Sequence, residues 1–138
     1  MKVFFDTNVY VAELLLGETA ELLLGATERA RWRIYASPYL LDELQKVLIE
    51  KLGYHRRFAS QARRRIVRRT TLVRPAASRH TVPLDPADGP ILRAALAAAA
   101  DYLVTNDKQL LALDPYEGLH IISMAGYHQL LTSQGLLT

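Results

Sequence analysis

Val3-Phe4-Phe5 is an unbroken apolar run that stops dead at Asp6. Nothing polar alternates within it, so it suits a strand covered on both faces, as in a parallel sheet between helices. A carboxylate at the carboxyl end of such a strand is poorly placed for folding. It is well placed for chemistry, because open parallel sheets bind ligands along that edge. The layout recurs in Asp101-Tyr102-Leu103-Val104-Thr105-Asn106-Asp107, an apolar strand with an aspartate just beyond it. Ile34-Tyr35-Ala36, Thr71-Leu72-Val73 and His120-Ile121-Ile122-Ser123-Met124 read as further strands, separated by helical stretches. Alternation of this kind gives an α/β sandwich with a mostly parallel sheet.

The helical stretches carry acids at defined positions. Val9 to Leu16 and Glu18 to Arg31 read as helical, with Gly17 and Gly25 expected to interrupt them. Ser37-Pro38 reads as an N-cap followed by a first-turn proline. The helix expected over Pro38 to Lys51 has Leu40, Leu44, Val47 and Leu48 on one face. At about 100° per residue, Glu43 falls on the border of that face beside Val47, whereas Asp42 points away. Glu43 is then either a plain boundary residue or a site group held at the core edge. Gly53 ends this helix, and His55 to Thr70 forms another, with Phe58, Ala62 and Ile66 as its buried line. Its exposed sides carry Arg56, Arg57, Arg63, Arg64, Arg65, Arg68 and Arg69 with no acid among them. Such a run is either a solvated face or an electropositive stripe able to track phosphates. Asp88 precedes Gly89-Pro90 and a helix over Ile91 to Ala100, and has a structural role available as its N-cap. Lys108 to Leu113 and Ala125 to Leu131 read as short helices.

Composition removes several function classes. The chain has 138 residues, half of them hydrophobic, which suits one domain with a real core. It has no cysteine, so disulfides, thiolate metal sites and cysteine nucleophiles are excluded. No apolar run approaches the roughly 20 residues that span a bilayer, and the N-terminus lacks a signal-peptide layout. A cytoplasmic setting without a membrane partner is expected. Net charge is +3 and the pI about 9.3, which permits a nucleic-acid partner. Neither nucleotide-cradling glycine motif is present. His55, His80, His120 and His128 are scattered and suit ordinary surface or core placement.

Parallel strands share a carboxyl edge, so Asp6 and Asp107 converge there if their strands are neighbours. Helices that run back antiparallel start at the same edge, which brings in Asp88 and Glu43. Gathered carboxylates raise one another's pKa, and such a cluster makes sense when divalent cations occupy it. Oxygen-only donors point to a hard ion, Mg²⁺ or Mn²⁺, and so to phosphoryl chemistry. Two rivals fit less well. A phosphatase with Asp6 as nucleophile wants a second aspartate where Asn8 stands. A phospho-receiver wants a pair of acids after its first strand, and this chain has one.

Asp6-Thr7-Asn8 after an apolar strand, Glu43 on an amphipathic helix, Asp88 before Ile91, and Thr105-Asn106-Asp107-Lys108 after a second strand together resemble the PIN-domain nucleases. The resemblance covers nearly the whole chain. It is strongest to the bacterial and archaeal PIN-domain toxins of type II toxin–antitoxin pairs. It implies a single α/β/α domain over residues 1–138 with a five-stranded parallel sheet, and a Mg²⁺- or Mn²⁺-dependent ribonuclease activity. Asp6, Glu43, Asp88 and Asp107 would be the metal ligands and catalytic acids. Asn8, Thr105 and Thr7 would support them. The resemblance further implies a homodimer and a small cognate antitoxin protein that holds the enzyme inactive. Arg56, Arg57, Arg63, Arg64 and Arg68 would be positioned to help bind RNA if their helix faces the site. Asn106 departs from the family pattern, in which a glycine or a basic residue is more usual, and Asp85 and Asp101 remain as structural or supporting acids. A PIN fold that binds without cutting is the alternative.

Overall fold

The computed structural model describes residues 1–15, 17–75 and 89–137. Asp88, Asp85 and His80 lie outside the described residues. Five strands form one sheet: β1 (Lys2–Phe5), β2 (Arg33–Ala36), β3 (Thr71–Leu72), β4 (Tyr102–Val104) and β5 (His120–Ile122). Their order is β3-β2-β1-β4-β5, and every pairing is parallel. Among the described residues seven α-helices alternate with them: α1 (Thr7–Leu15), α2 (Glu18–Arg29), α3 (Pro38–Lys46), α4 (Arg56–Arg69), α5 (Gly89–Ala97), α6 (Lys108–Leu111) and α7 (Met124–Ser133). The result is the expected α/β/α sandwich.

β1 is the centre of the molecule. Val3, Phe4 and Phe5 are each fully buried, so consecutive side chains are covered on both faces of the sheet. That is the burial the unalternated sequence demands. Phe5 meets Tyr10 and Tyr127 edge-to-face, with ring centroids 6.2 and 5.7 Å away. Each such pair adds about 0.5–1.5 kcal/mol beyond its buried area. β1 pairs with β2 on one side and β4 on the other, with Phe5 opposite Val104. The two strands that end in aspartates are therefore neighbours.

Three expectations about helices change. Gly25 does not interrupt α2, which runs through it; the break falls only at Gly17, whose φ of +75° suits a residue without Cβ. Neighbouring Leu23, Leu24 and Ala26 are buried, and their packing outweighs the roughly 1 kcal/mol that an interior glycine costs. The Pro38–Lys51 stretch is not one uniform helix. After Lys46 it widens into a π-helical segment over Val47–Lys51, which closes at Gly53 with φ +71°. At its start Ser37 Oγ accepts from the Leu40 N–H at 3.2 Å, with Pro38 in the first turn, as expected.

The third change concerns the arginines of α4. Arg69 is not on a free face: its guanidinium donates to both Glu13 oxygens at 2.9 and 3.1 Å and to Glu28 at 2.8 Å. Arg63 donates to Asp42 at 2.7 Å and to Gln45 at 2.8 Å. Arg56, Arg57, Arg64, Arg65 and Arg68 remain exposed. No helix among the described residues is long and apolar enough to cross a membrane.

Candidate active site

Asp6 follows the last residue of β1 directly. Its N–H donates to the Val104 carbonyl of β4 at 2.9 Å, so the backbone is fixed by the sheet before α1 begins. The side chain is only 6% exposed. One oxygen, Oδ1, accepts from the Thr7 N–H at 2.7 Å. The other, Oδ2, accepts from the Thr105 hydroxyl at 2.7 Å and from the Asn8 amide at 3.3 Å. Burial pushes its pKa up from 3.8 to about 6; the bonds from Thr105 and Thr7 oppose that, and the charges of Glu43 and Asp107 add to it. The carboxylate is thus both solidly held and costly to ionise.

Thr105 is the strut between the two strand ends. It is fully buried, donates to Asp6, and accepts from the Asp107 N–H at 3.0 Å. Asp107 caps α6, with Oδ1 accepting from the Gln109 N–H at 2.8 Å and the Leu110 N–H at 3.4 Å. Its Oδ2 takes no hydrogen bond among the described residues and is left for a ligand. Asn106, the departure from the family pattern, serves the local backbone. Its Oδ1 accepts from the Met124 N–H at 3.1 Å and ties this turn to the start of α7.

Glu43 arrives from α3. It is half-buried and receives a 2.5 Å hydrogen bond from the Thr7 hydroxyl. Thr7 therefore touches both acids, Asp6 through its backbone and Glu43 through its side chain. The resemblance names Thr7 among the supporting residues, but its bond to Glu43 is not foreseen, since the contact crosses from α1 to α3. Asp42, expected to point away from the buried face, is 72% exposed at the side chain and paired with Arg63, yet it also borders the cleft that Glu43 lines.

Asp6, Glu43 and Asp107 all border one cleft of about 700 Å³, together with Thr7 and Asn8. Its other walls come from Tyr39, Asp42, Lys46, Val47, Glu50 and Lys51 of α3 and the π-helical segment, and from Val11 and Ile91. Sequence reasoning did not single out Tyr39, Lys46 or Lys51. A signal existed in their three- and four-residue spacing from Glu43 and Val47 along one helical stripe. No arginine of α4 lines the cleft among the described residues, and Asp101 lies at the opposite edge, where it accepts from the Lys2 N–H at 2.8 Å.

The donor set fits a hard divalent cation in kind. All donors are oxygens; among the described residues Asp6 is held in a buried position without a cation, and Glu43 and Asp107 each keep an oxygen with no hydrogen-bond donor. Among the described residues alone, no three acidic or histidine side chains close a cage. Asp88 lies outside them.

No curated protein matches the chain in sequence. Its fold is similar to the crystal structure of VapBC2 from Rickettsia felis bound to a DNA fragment from their promoter, at a TM-score of 0.67 and 17% identity over 89% of this chain and 98% of that one. The PIN domain family model matches residues 2–109, a span that contains Asp6, Glu43, Thr105 and Asp107. The chain belongs to the PIN-domain family.

Proposed function

We propose that this protein is a divalent-metal-dependent endoribonuclease and the toxin of a toxin–antitoxin pair. PIN domains are generally nucleases. The observation that carries the reading is the convergence of Asp6, Glu43 and Asp107 on one cleft, with the Asp6 pKa raised to about 6. Buried like charges without a protein counter-ion are costly, and a bound cation removes the cost.

Asp6, Asp107, Glu43 and Asp88 would hold Mg²⁺ or Mn²⁺. When bound, such an ion polarises a phosphoryl oxygen and eases ionisation of an attacking water. The chain's own residues prepare the site. Thr105 and Asn8 orient the Asp6 carboxylate, and Thr7 fixes the distance between Asp6 and Glu43. The free oxygen of Glu43 is available to orient water or to complete the cage. An antitoxin partner and a homodimer are carried over from the resemblance to toxin PIN proteins, and the likeness to VapBC2 supports the former.

One rival is a PIN fold that binds without cutting. One experiment separates the two. Purified protein is incubated with total RNA and Mg²⁺ or Mn²⁺, alongside Asp6→Asn and an EDTA control. Cleavage by the wild type alone, abolished by EDTA, is expected. RNA left whole by the wild type, or cut equally by the variant, overturns the nuclease reading.

A further inference from the structure

We propose that the outer face of α4 is a second RNA contact, outside the acidic cleft: Arg57, Arg64 and Arg68 form a rail that grips the phosphate backbone of a base-paired RNA stem. This rests on the nuclease reading and adds a place where substrate is held away from the cutting site. At about 100° per residue these three arginines fall within one arc of roughly 40°, with Gln61 and Arg65 along its border. They span roughly 16 Å of the helix axis. All three are exposed, and none makes an ion pair among the described residues. The arginines of α4 that do have partners, Arg63 and Arg69, stand on other sides of the helix. α4 packs against α3, which lines the cleft, yet α4 itself gives no residue to the cleft wall.

Folding alone gives no reason for this charge. Arg64 and Arg68 stand four residues apart, and Arg65 and Arg68 three, so each pair repels across one helical turn. Arg56 and Arg57 open the helix, where the macrodipole is already positive, and no acid stands in that first turn. A polyanion turns these repulsions into attraction, and the guanidinium fork matches phosphate oxygens in pairs. The arc carries only arginine and glutamine. It can hold phosphates, but it has no aromatic face on which to stack an unpaired base. Base-paired RNA is recognised in that manner, through backbone and shape. A duplex also carries twice the phosphate charge per unit length of a single strand.

The test uses the whole protein, an RNA hairpin, an unstructured RNA of the same length, and poly-glutamate. Binding is read by fluorescence anisotropy in EDTA over a salt series, independently of cleavage. The hairpin is expected to bind more tightly than the unstructured RNA. Each of Arg57→Gln, Arg64→Gln and Arg68→Gln should lower the hairpin's salt slope by about 0.9 and weaken its binding roughly eight-fold at about 0.1 M salt. Arg29→Gln, which removes the same charge from α2, should leave the slope as it is. With Mn²⁺ added, the rail variants should raise KM for the hairpin and leave kcat nearly unchanged. They should melt no lower than the wild type, since they lose no contact within the fold. Wild-type slopes in the rail variants, an equal loss in Arg29→Gln, or equal affinity for the unstructured RNA overturns the rail. Tighter, rail-dependent binding of poly-glutamate overturns it in favour of an acidic protein partner. Hairpin binding without cleavage overturns the nuclease reading and leaves the rail standing, whereas cleavage with wild-type KM in the rail variants does the reverse.

Discussion

Two groups of acids, each built around one buried carboxylate, lie at different places in this molecule and are treated in opposite ways. Glu13, with a side chain only 6% exposed, is neutralised on the spot by Arg69, which also reaches Glu28. Asp6, 6% exposed, has hydrogen bonds from Thr105, Thr7 and Asn8 but no cation among the described residues, and Asp42, Glu43, Glu50 and Asp107 share its cleft. The first group is architecture: an arginine on α4 fastens that helix to α1 and α2. The second is held ready at a standing electrostatic cost. Acids with an internal partner hold a fold together, and acids without one mark where an external partner belongs.

The largest effect expected from breaking this contrast is at Arg69. Arg69→Ala leaves Glu13 buried and unpaired, and should destabilise the protein by about 3–4 kcal/mol in urea unfolding. The Tyr10 hydroxyl, buried without a hydrogen-bond partner among the described residues, stands near this network, and burial raises its pKa. Next in size is the response to metal. At a hundred times its Kd, Mn²⁺ should add about 2.7 kcal/mol to the wild type and nothing to Asp6→Asn; equal shifts in Tm would erase the contrast.

Without metal, the Asp6→Asn substitution should itself stabilise. The folded pKa of about 6 lies above the unfolded 3.8, so burial favours the protonated acid. Asp6 therefore adds stability that is complete below about pH 3.8 and is lost as pH rises through 6. The shift corresponds to about 3 kcal/mol at most. Loss of the charge-assisted bonds from Thr105 and Asn8 reduces the expected net gain of Asp6→Asn to about 1–2 kcal/mol at pH 8. Paired melts at pH 8 and pH 4 check this, with the advantage of the variant vanishing at the lower pH. The smallest effect is at Asp42. Its bond to Arg63 is exposed to solvent, and Asp42→Ala should cost less than about 0.5 kcal/mol.

What was legible in the sequence was local or periodic. An apolar run without alternation announced β1 and the recurrence of its layout announced β4, while their adjacency in the sheet is shown only by the structure. Helical angles were enough to tell the half-buried Glu43 from the exposed Asp42, although both border the cleft, and a serine before a proline placed the start of α3. What escaped depends on contacts between distant residues. Arg69 read as one more surface charge, because its partners Glu13 and Glu28 lie on other helices. Thr7 gave no hint of its bond to Glu43, since the approach of α1 to α3 is a matter of packing. Gly25 looked like a break because its propensity is local, while the burial of its neighbours is not. The widened turn at Val47–Lys51 has no sequence signature of its own, although it sets the far wall of the cleft.

The pairing of β1 with β4 also orders events in time. Phe5 lies opposite Val104, and Thr105 reaches back to Asp6, so the first strand must wait for a segment made about a hundred residues later. A chain emerging from the ribosome carries Asp6 early, but Asp6 has neither its Thr105 donor nor Asp107 until most of the protein has been synthesised. Closing so long a loop is slow compared with local helix formation. If the protein cuts RNA as proposed, the machine translating it is spared during its own synthesis, because an unfinished copy has no complete cutting edge. The interval between release and loop closure is then also the time in which a partner protein can reach the folding chain.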